Sequence, residues 1–283
     1  MMKKSLAFLL VALLIVPVVP IGRAQQQEYR AVVVGIENYE EINACSWADD
    51  DARAMGEVLS PKWDAVRVLI DRDATRAGIS GAVDWLASEA GDEDVSMFYF
   101  AGHGTNDGQD TYICCYDATF EGGSGKIGDH ELAEMLGSVK GQKIVILDSC
   151  YSGGFIYKES ASIRGLPEFV PRVMAGTPEV ELDSGLAEKL SDLAIDNYEV
   201  MTACAVDETA LGSRALKHGV FTHFLLEGMS NADLVADGAV TTREAFDYAD
   251  PRTVEFTQNK NHDEHPQWWD GVYGMDISMV MLL

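Results

Sequence analysis

Two side chains that could perform nucleophilic chemistry each follow a run of apolar residues. Cys150 comes shortly after the run 143–147, and His103 lies between two glycines after the run 95–101. A thiol attacks a carbonyl carbon well when a base takes its proton and backbone N–H groups hold the resulting oxyanion. The pair therefore predicts a peptidase that works through a cysteine–histidine dyad.

The apolar runs are the elements that must position these two side chains. Neither run alternates with polar residues, which predicts strands that are buried on both faces of a parallel sheet. Ligands bind beyond the carboxyl ends of such strands, where both Cys150 and His103 fall. A single histidine is more often structural, and a single cysteine more often a small buried apolar residue. Their occurrence together at two strand ends favours catalysis.

Strand and helix patterns alternate along most of the chain, which predicts an α/β fold with a mostly parallel central sheet and helices on both faces. The predicted strands cover residues 29–36, 65–71, 95–101, 143–147 and 198–205, and the predicted helices cover 46–59, a segment from Thr75 or Ser80 to 90, 129–139, 221–229 and 242–248. An extended stretch at 111–117 predicts a peripheral hairpin, and the apolar tail from Met275 predicts a closing strand.

The segment 155–196 interrupts this alternation and contains three prolines. Little periodicity appears in it before a possible helix at 186–193. Long irregular insertions in compact domains are usually functional or mobile. We therefore predict one domain over residues 25–283 that carries 155–196 as an insertion.

The N-terminus has the features of a secretory signal peptide. Lys3 and Lys4 precede an apolar run at 6–21, and small residues stand three positions and one position before a possible cleavage after Ala24. This predicts removal of residues 1–24 and an exported protein, either secreted, periplasmic or on the cell surface. An uncleaved membrane anchor is the alternative. Two prolines in a short apolar run favour the signal peptide over a stable span.

The chain is strongly acidic, with 46 acidic and 21 basic residues and a formal net charge of −25. Residues 1–24 hold three basic residues and no acid, so their removal takes the charge to −28. Such a surface would repel nucleic acid and attract cationic substrates. It is also what a salty habitat would favour, so charge alone does not assign a function.

The five cysteines are an odd number, so an exported form keeps at least one thiol outside any internal disulfide. No pair has the CxxC spacing of a zinc site. A catalytic Cys150 must stay reduced. The sequence leaves open whether Cys45 and Cys204 form a disulfide.

An ordered set of motifs across residues 29–283 resembles the caspase-like cysteine peptidases of the caspase–haemoglobinase clan, especially metacaspases and their prokaryotic relatives. These motifs are 32–39, 50–55, 98–104, 147–153, 219–225 and 237–241. His103 and Cys150 are 47 positions apart in the sequence, close to the roughly 50 residues of caspase-type signatures. The resemblance implies an α/β/α sandwich of the caspase–haemoglobinase type.

The resemblance also implies a role for each residue around the dyad. Cys150 would be the nucleophile that forms a thioester acyl-enzyme, and His103 would be its acid/base partner. The backbone N–H groups of Gly104 and Cys150 would form the oxyanion hole. Protein or peptide substrates are therefore the expected partners.

Two acidic residues imply the specificity of the peptidase. Caspases carry Gln-Ala-Cys and cleave after aspartate, whereas this chain has Asp148-Ser149-Cys150. In metacaspases an acid at the position of Asp148, joined by one aligned with Asp51, lines the S1 pocket and selects Arg or Lys. A pair of carboxylates in a partly desolvated pocket needs a cation to offset their repulsion. The alternative for Asp51 is simple stabilisation of a helix N-terminus.

Many metacaspases need calcium, but the match here is poor, and no cofactor is predicted to be required. Asp129 aligns with one acidic ligand region, but Gly128 precedes it and Tyr157 stands where a further acid is expected. Segment 233–244 has the spacing of an EF-hand at several positions, yet Val235 replaces a ligand. The alternative for that segment is a capping box of Thr241 and Glu244 at a helix start. A calcium requirement stays open.

The insertion lies where members of the family are cut during activation. It contains four basic residues that a basic-specific enzyme could cleave in itself, namely Lys158, Arg164, Arg172 and Lys189. A non-catalytic caspase-like domain that binds or regulates partners is the main alternative function. Both reactive residues are present, which argues against it. A nucleotide-binding fold is a further alternative, against which the lack of a GxGxxG after the first strand argues.

Overall fold

The computed structural model describes residues 27–108, 110–119, 123–156, 169–171, 193, 196–272 and 277–281. The predicted signal peptide, Tyr157 and the four candidate cleavage residues lie outside the described residues. The helix predicted at 186–193 lies outside them too, apart from Leu193.

Helices and strands alternate over the described chain as the sequence predicts. The helices are α1 (Ala48–Leu59), α2 (Arg76–Glu89), α3 (Asp129–Gly137), α4 (Val220–Asn231) and α5 (Thr242–Gln258). The strands are β1 (Tyr29–Gly35), β2 (Ala65–Ile70), β3 (Val95–Ala101), β4 (Gly104–Asn106), β5 (Thr111–Cys114), β6 (Lys126–Gly128), β7 (Gln142–Asp148), β8 (Phe169–Pro171), β9 (Tyr198–Thr202), β10 (Leu211–Ser213), β11 (His218–Gly219), β12 (Ala239–Thr241), β13 (Gln267–Asp270) and β14 (Ser278–Met281).

A six-stranded sheet with the order β13-β9-β7-β3-β1-β2 forms the centre of the molecule. Strands β2, β1, β3, β7 and β9 are mutually parallel, and only the edge strand β13 runs antiparallel to its neighbour. Every residue of β3 is buried, which is the pattern expected of a strand that is covered on both faces. The predicted mostly parallel sheet is confirmed.

Alternate side chains of the central strands enter two separate cores. Val33, Tyr99 and Ile146 point into the core that α1, α4 and α5 cover. Val34 and Leu147 belong to the opposite core, which α2 and α3 cover. Since successive residues of a strand point to opposite faces, the continuous apolar runs supply both cores at once. The result is the α/β/α sandwich that the sequence predicts.

Side-chain caps explain where two of the helices begin. Thr75 Oγ1 accepts a hydrogen bond from the Gly78 N–H at 3.0 Å, so α2 starts directly after Thr75 and not at Ser80. Thr241 and Glu244 form a reciprocal capping box at the start of α5. The capping-box interpretation of this segment is therefore confirmed.

Helix α5 is longer than the prediction of 242–248, because it continues through Pro251 to Gln258. A proline inside a helix normally costs about 3 kcal/mol. Packing compensates here: Thr253 and Thr257, both beyond the proline, are completely buried. Tertiary contacts of this kind are not visible in the local pattern.

Two peripheral predictions need correction in detail. The stretch predicted as a hairpin at 111–117 contributes β5 to a three-stranded sheet with β4 and β6. The tail does form a strand, β14, but β14 pairs with β12 and not with the central sheet. Strand β13 forms one edge of the central sheet. Its Trp268 packs against one core and its Trp269 against the other.

All five cysteines belong to the described part of the chain. Each is buried, and none takes part in a disulfide. Over the same residues, no helix has the length and apolar character needed to cross a membrane.

Candidate active site

The register between β3 and β7 places His103 beside Cys150. Ala101 and Asp148 form the last register pair of the two parallel strands, and the two reactive residues each lie two positions further along. The Gly102 N–H donates to the Asp148 carbonyl at 3.3 Å, which continues the pairing past the strand ends. The thiol and the imidazole predicted to react thus occupy neighbouring strand tips.

The main chain at Gly104 approaches that of Cys150 too closely for any side chain. A Cβ atom on Gly104 would lie 2.1 Å from the carbonyl oxygen of Cys150, well inside contact distance. Glycine is therefore required at this position by packing. The two residues predicted to supply the oxyanion hole have adjoining backbones.

His103 is completely buried and is held at both its backbone and its ring. Its backbone N–H donates to the hydroxyl of Tyr39 at 2.7 Å, and its carbonyl accepts from the Cys114 N–H at 2.9 Å. The Tyr39 ring packs on the imidazole with 5.0 Å between ring centroids. These contacts fix the direction in which the side chain leaves the strand.

The outer nitrogen of the imidazole contacts Asn43. His103 Nε2 lies 2.9 Å from the Asn43 carbonyl oxygen and 3.0 Å from the Asn43 side-chain amide nitrogen. The two contacts belong to different tautomers, because an amide N–H₂ only donates and a carbonyl only accepts. When the proton is on Nε2 it is donated to the carbonyl, and Nδ1 is then the basic nitrogen.

Cys150 is also completely buried. Its Sγ lies 3.6 Å from the carbonyl oxygen of Ala210, a contact in which the thiol donates. Burial raises the pKa of the Cys150 thiol well above its usual value, and the neighbouring thiols Cys204 and Cys45 raise that pKa further. The sulfur is therefore a neutral thiol in this conformation.

The loop that supplies Ala210 is fixed by the segment that leads into β13. His262 Nε2 lies 2.9 Å from the Thr209 carbonyl oxygen. His265 Nδ1 lies 2.5 Å from a carboxylate oxygen of Glu208. Two imidazoles thus hold the loop in contact with the reactive sulfur.

The two acids predicted to line the S1 pocket, Asp51 and Asp148, are both fully buried. Asp51 accepts hydrogen bonds from the Gly219 N–H at 3.0 Å and from His218 Nδ1 at 2.7 Å. Asp148 accepts from the Thr222 hydroxyl at 2.5 Å and from the Thr222 N–H at 3.3 Å. Both carboxylates therefore bind residues at the N-terminus of α4.

The acids considered as calcium ligands accept hydrogen bonds from backbone N–H groups. Among the described residues, no group of three or more His, Cys, Asp or Glu side chains is arranged to hold a metal ion. Asp129 is buried, and its Oδ1 accepts the His130 N–H at 2.8 Å. Asp233 accepts the N–H groups of Asp237 and Gly238 at 3.1 and 3.0 Å. These carboxylates serve to cap their own backbone.

Three residues at the site were not assigned by the sequence. Asn43 lies in a loop without a motif, and its contact with His103 spans 60 positions. Thr222 falls inside the motif 219–225 but had no role, and His218 directly precedes that motif. The signal for Thr222 was its position inside a recognised motif, and the signal for His218 was its position directly before it.

These features define a three-layer α/β/α protein with a cysteine–histidine pair at the carboxyl edge of its parallel sheet. A profile of the peptidase C14 family, described as the caspase domain, matches residues 28–268. The chain belongs to the caspase-domain family, and the resemblance to that family is confirmed.

Several relatives are metacaspases. Metacaspase-2 of Trypanosoma brucei brucei is 28% identical over 200 residues, which cover 60% of this chain and 57% of the relative. Metacaspase-1 of Schizosaccharomyces pombe is 27% identical over 271 residues, covering 83% of this chain and 61% of the relative. The chain thus spans about three fifths of the length of these relatives.

Structural similarity supports the same fold. The crystal structure of protein GSU0716 from Geobacter sulfurreducens matches with a TM-score of 0.61 at 19% sequence identity. The match covers 90% of this chain and 100% of that chain. At this identity the similarity shows the fold alone.

Proposed function

We propose that this protein is a cysteine endopeptidase that cleaves peptide bonds after Arg or Lys. The observation that carries the proposal is the β3–β7 register, which sets His103 and Cys150 at equivalent positions on adjacent strands. Membership of the caspase-domain family supports the same chemistry.

Acylation begins with a neutral thiol, because burial raises the pKa of Cys150. His103 takes the thiol proton on Nδ1 while Sγ attacks the carbonyl carbon of the scissile bond. The carbonyl becomes an oxyanion, which the N–H groups of Gly104 and Cys150 hold. The C–N bond then breaks, the amine leaves with the proton from His103, and a thioester remains.

Deacylation reverses the roles of the same groups. His103 removes a proton from a water molecule, which attacks the thioester carbon. The oxyanion collapses, the C–S bond breaks, and the carboxylic product leaves while the sulfur recovers its proton. The Nε2–H bond to the Asn43 carbonyl keeps the imidazole oriented through both steps.

The specificity follows from the two buried acids. Asp51 accepts hydrogen bonds from Gly219 and His218, and Asp148 accepts them from Thr222. A P1 Arg or Lys would supply a cation to this pair. An Asp side chain at P1 would add a third negative charge.

The proposed site is closed in this conformation, since both reactive side chains are fully buried. The Ala210 loop contacts the sulfur and Asn43 contacts the imidazole. Substrate access therefore requires the Ala210 loop to move away from the sulfur, while Asn43 stays bound to Nε2.

Turnover of fluorogenic peptides tests the proposal. The protein is incubated with Arg-ending, Lys-ending and Asp-ending peptides, each with and without calcium. We expect cleavage of the first two, and its loss in Cys150→Ala and His103→Ala. Cys115→Ala is the matched control, because it removes another buried thiol outside the site. A preference for the Asp-ending peptide would contradict the specificity, and activity that survives Cys150→Ala would contradict the mechanism.

We further propose that the protein is exported and that it cleaves itself within 155–196. The signal-like residues 1–24 and the four basic residues of the insertion support these steps. N-terminal sequencing of the exported protein should find a new terminus after about residue 24. Active protein should resolve into two fragments on a denaturing gel, and Cys150→Ala should remain one band. A single band in active preparations would show that processing is not needed.

A further inference from the structure

His218 is bound to one of the two acids proposed to select the substrate. Its Nδ1 lies 2.7 Å from Asp51 Oδ1, while the Asp51 side chain is completely buried and the His218 side chain is 25% exposed. The imidazole is therefore the part of this pair that solvent reaches.

The bond to Asp51 keeps a proton on His218 Nδ1, whereas the proton on the second ring nitrogen depends on pH. An ionised carboxylate only accepts, so His218 donates its Nδ1–H to Asp51 in both of its charge states. Protonation of the second nitrogen turns the bond into an ion pair and makes His218 the internal counter-ion of Asp51. A cationic P1 side chain would pair with the same Asp51 carboxylate.

Further titratable and charged groups lie near His218 on α4 and in the turn before it. The His223 ring from α4 lies 6.0 Å from the His218 ring, centroid to centroid. His223 Nε2 is 3.7 Å from a carboxylate oxygen of Glu227, one turn along α4. Strand β10 has no titratable side chain, and the turn before His218 contributes Arg214 and Lys217.

His223 lies within reach of the same charges as His218. Burial lowers the pKa of His223, Glu227 raises it, the charge of His218 lowers it, and Asp51 raises it. Positive charges here oppose each other, and Asp51 favours each of them. A substrate guanidinium in the same place would oppose protonation of His218.

We infer that His218 is a specificity-determining residue whose protonated form competes with the basic P1 side chain for Asp51. This inference rests on the proposed Arg/Lys specificity. A neutral His218 leaves the charge of Asp51 to the substrate, so the substrate binds while the imidazole loses its proton. Acidic solution would then weaken binding of basic substrates apart from any effect on the chemistry of His103.

The test is the pH dependence of KM for an Arg-ending peptide between about pH 5.5 and about pH 8, where histidine changes charge. In the unaltered protein we expect KM to rise about tenfold toward acid pH. His218→Asn keeps an N–H donor toward Asp51 without a titratable charge. We expect its KM to stay low across the range, while the kcat profile still follows His103.

His223→Gln is the matched control, since it removes the neighbouring imidazole but does not bond to Asp51. Its KM should still rise toward acid pH, because the bond between His218 and Asp51 remains. If His218→Asn shows the same KM profile as the unaltered protein, or a KM raised equally at every pH, the inference is wrong and His218 is only structural. If His218→Asn fails to fold, the unaltered protein decides alone, because a flat KM profile overturns the inference.

Different results would overturn the proposed function and this inference. Absence of Arg turnover at every pH would overturn the proposed peptidase and the inference with it. Turnover that depends on Cys150, combined with a KM that does not respond to His218, would overturn the inference alone.

Discussion

Asp51 and Asp148 are bound to the same end of one helix, although they come from α1 and β7. Asp51 accepts the N–H of Gly219, the residue that caps α4, and Asp148 accepts the N–H and hydroxyl of Thr222 in its first turn. The N-terminus of a helix carries a partial positive charge, worth about 0.3–1 kcal/mol to a nearby carboxylate. This helps to offset the cost of burying two carboxylates at one helix end.

The Thr222 hydroxyl should matter more than its methyl group. An ionised Asp148 only accepts, so Thr222 donates to it, and the Tyr99 hydroxyl, 2.8 Å away, donates to Thr222. Thr222→Val leaves a buried carboxylate and a buried hydroxyl short of a partner, a loss of about 1–3 kcal/mol. We expect a raised KM for Arg-ending peptides and a lower melting temperature.

Thr222→Ser is the control for that substitution, because it keeps the donor and removes only the methyl group. The KM for Arg-ending peptides and the melting temperature are measured for both variants and compared. Equal losses in the two variants would show that packing, and not the hydrogen bond to Asp148, explains the effect.

Gly104→Ala should inactivate the protein. The added Cβ would lie 2.1 Å from the Cys150 carbonyl oxygen, and backbone on both sides cannot yield without moving the reactive cysteine. Gly81→Ala is the matched control in α2, where nothing lies within 4 Å of the new Cβ. That control should gain about 0.5–1 kcal/mol from helix propensity. Full activity in Gly104→Ala would contradict the close approach of the two strand tips.

The sequence was sufficient to place the proposed catalytic pair at one edge of the sheet, because that placement depends on local patterns. The continuous apolar runs of β3 and β7 predict buried parallel strands, and parallel strands bring their carboxyl ends to one edge. The runs alone do not say which strands are neighbours; the pairing of β3 with β7 in the structure brings His103 beside Cys150.

The contacts that refine the site could not be predicted in the same way. Asp51 and His218 are 167 positions apart, and only the packing of α1 against β11 and α4 brings them together. Asn43 reaches His103 from a loop whose path has no periodic signal. The continuation of α5 through Pro251 depends on burial of its far half, which local propensity cannot report.

The hydroxyl of Tyr39 should help to position His103, because it accepts the hydrogen bond of the His103 backbone N–H. Tyr39→Phe leaves the buried N–H of His103 without its acceptor at 2.7 Å, a cost of about 1–3 kcal/mol. We expect a lower kcat with little change in KM, because the imidazole and not the S1 pocket is disturbed. Tyr112→Phe is the control, since its hydroxyl donates to Asp107 in an exposed contact. A change in KM alone in Tyr39→Phe would assign the residue to substrate binding.

The pair of Glu208 and His265 should make the stability of the Ala210 loop depend on pH. Burial lowers the pKa of His265, but the hydrogen bond and charge of Glu208 raise it more, and the net pKa lies above the usual value of 6.5. A raised folded pKa gives stability that is complete below the unfolded pKa and is lost as pH rises through the folded one. The His265 side chain is 41% exposed, so this contribution is below about 1 kcal/mol.

Denaturant unfolding of the unaltered protein and of His265→Gln at acid and alkaline pH measures this contribution. The difference in unfolding free energy should be largest below about pH 6.5 and should shrink as His265 loses its proton. His130→Gln is the control, because His130 and Glu134 are 69% and 70% exposed and their ion pair should add almost nothing at any pH. A difference that grows toward alkaline pH would mean that the neutral imidazole makes the stabilising contact with Glu208.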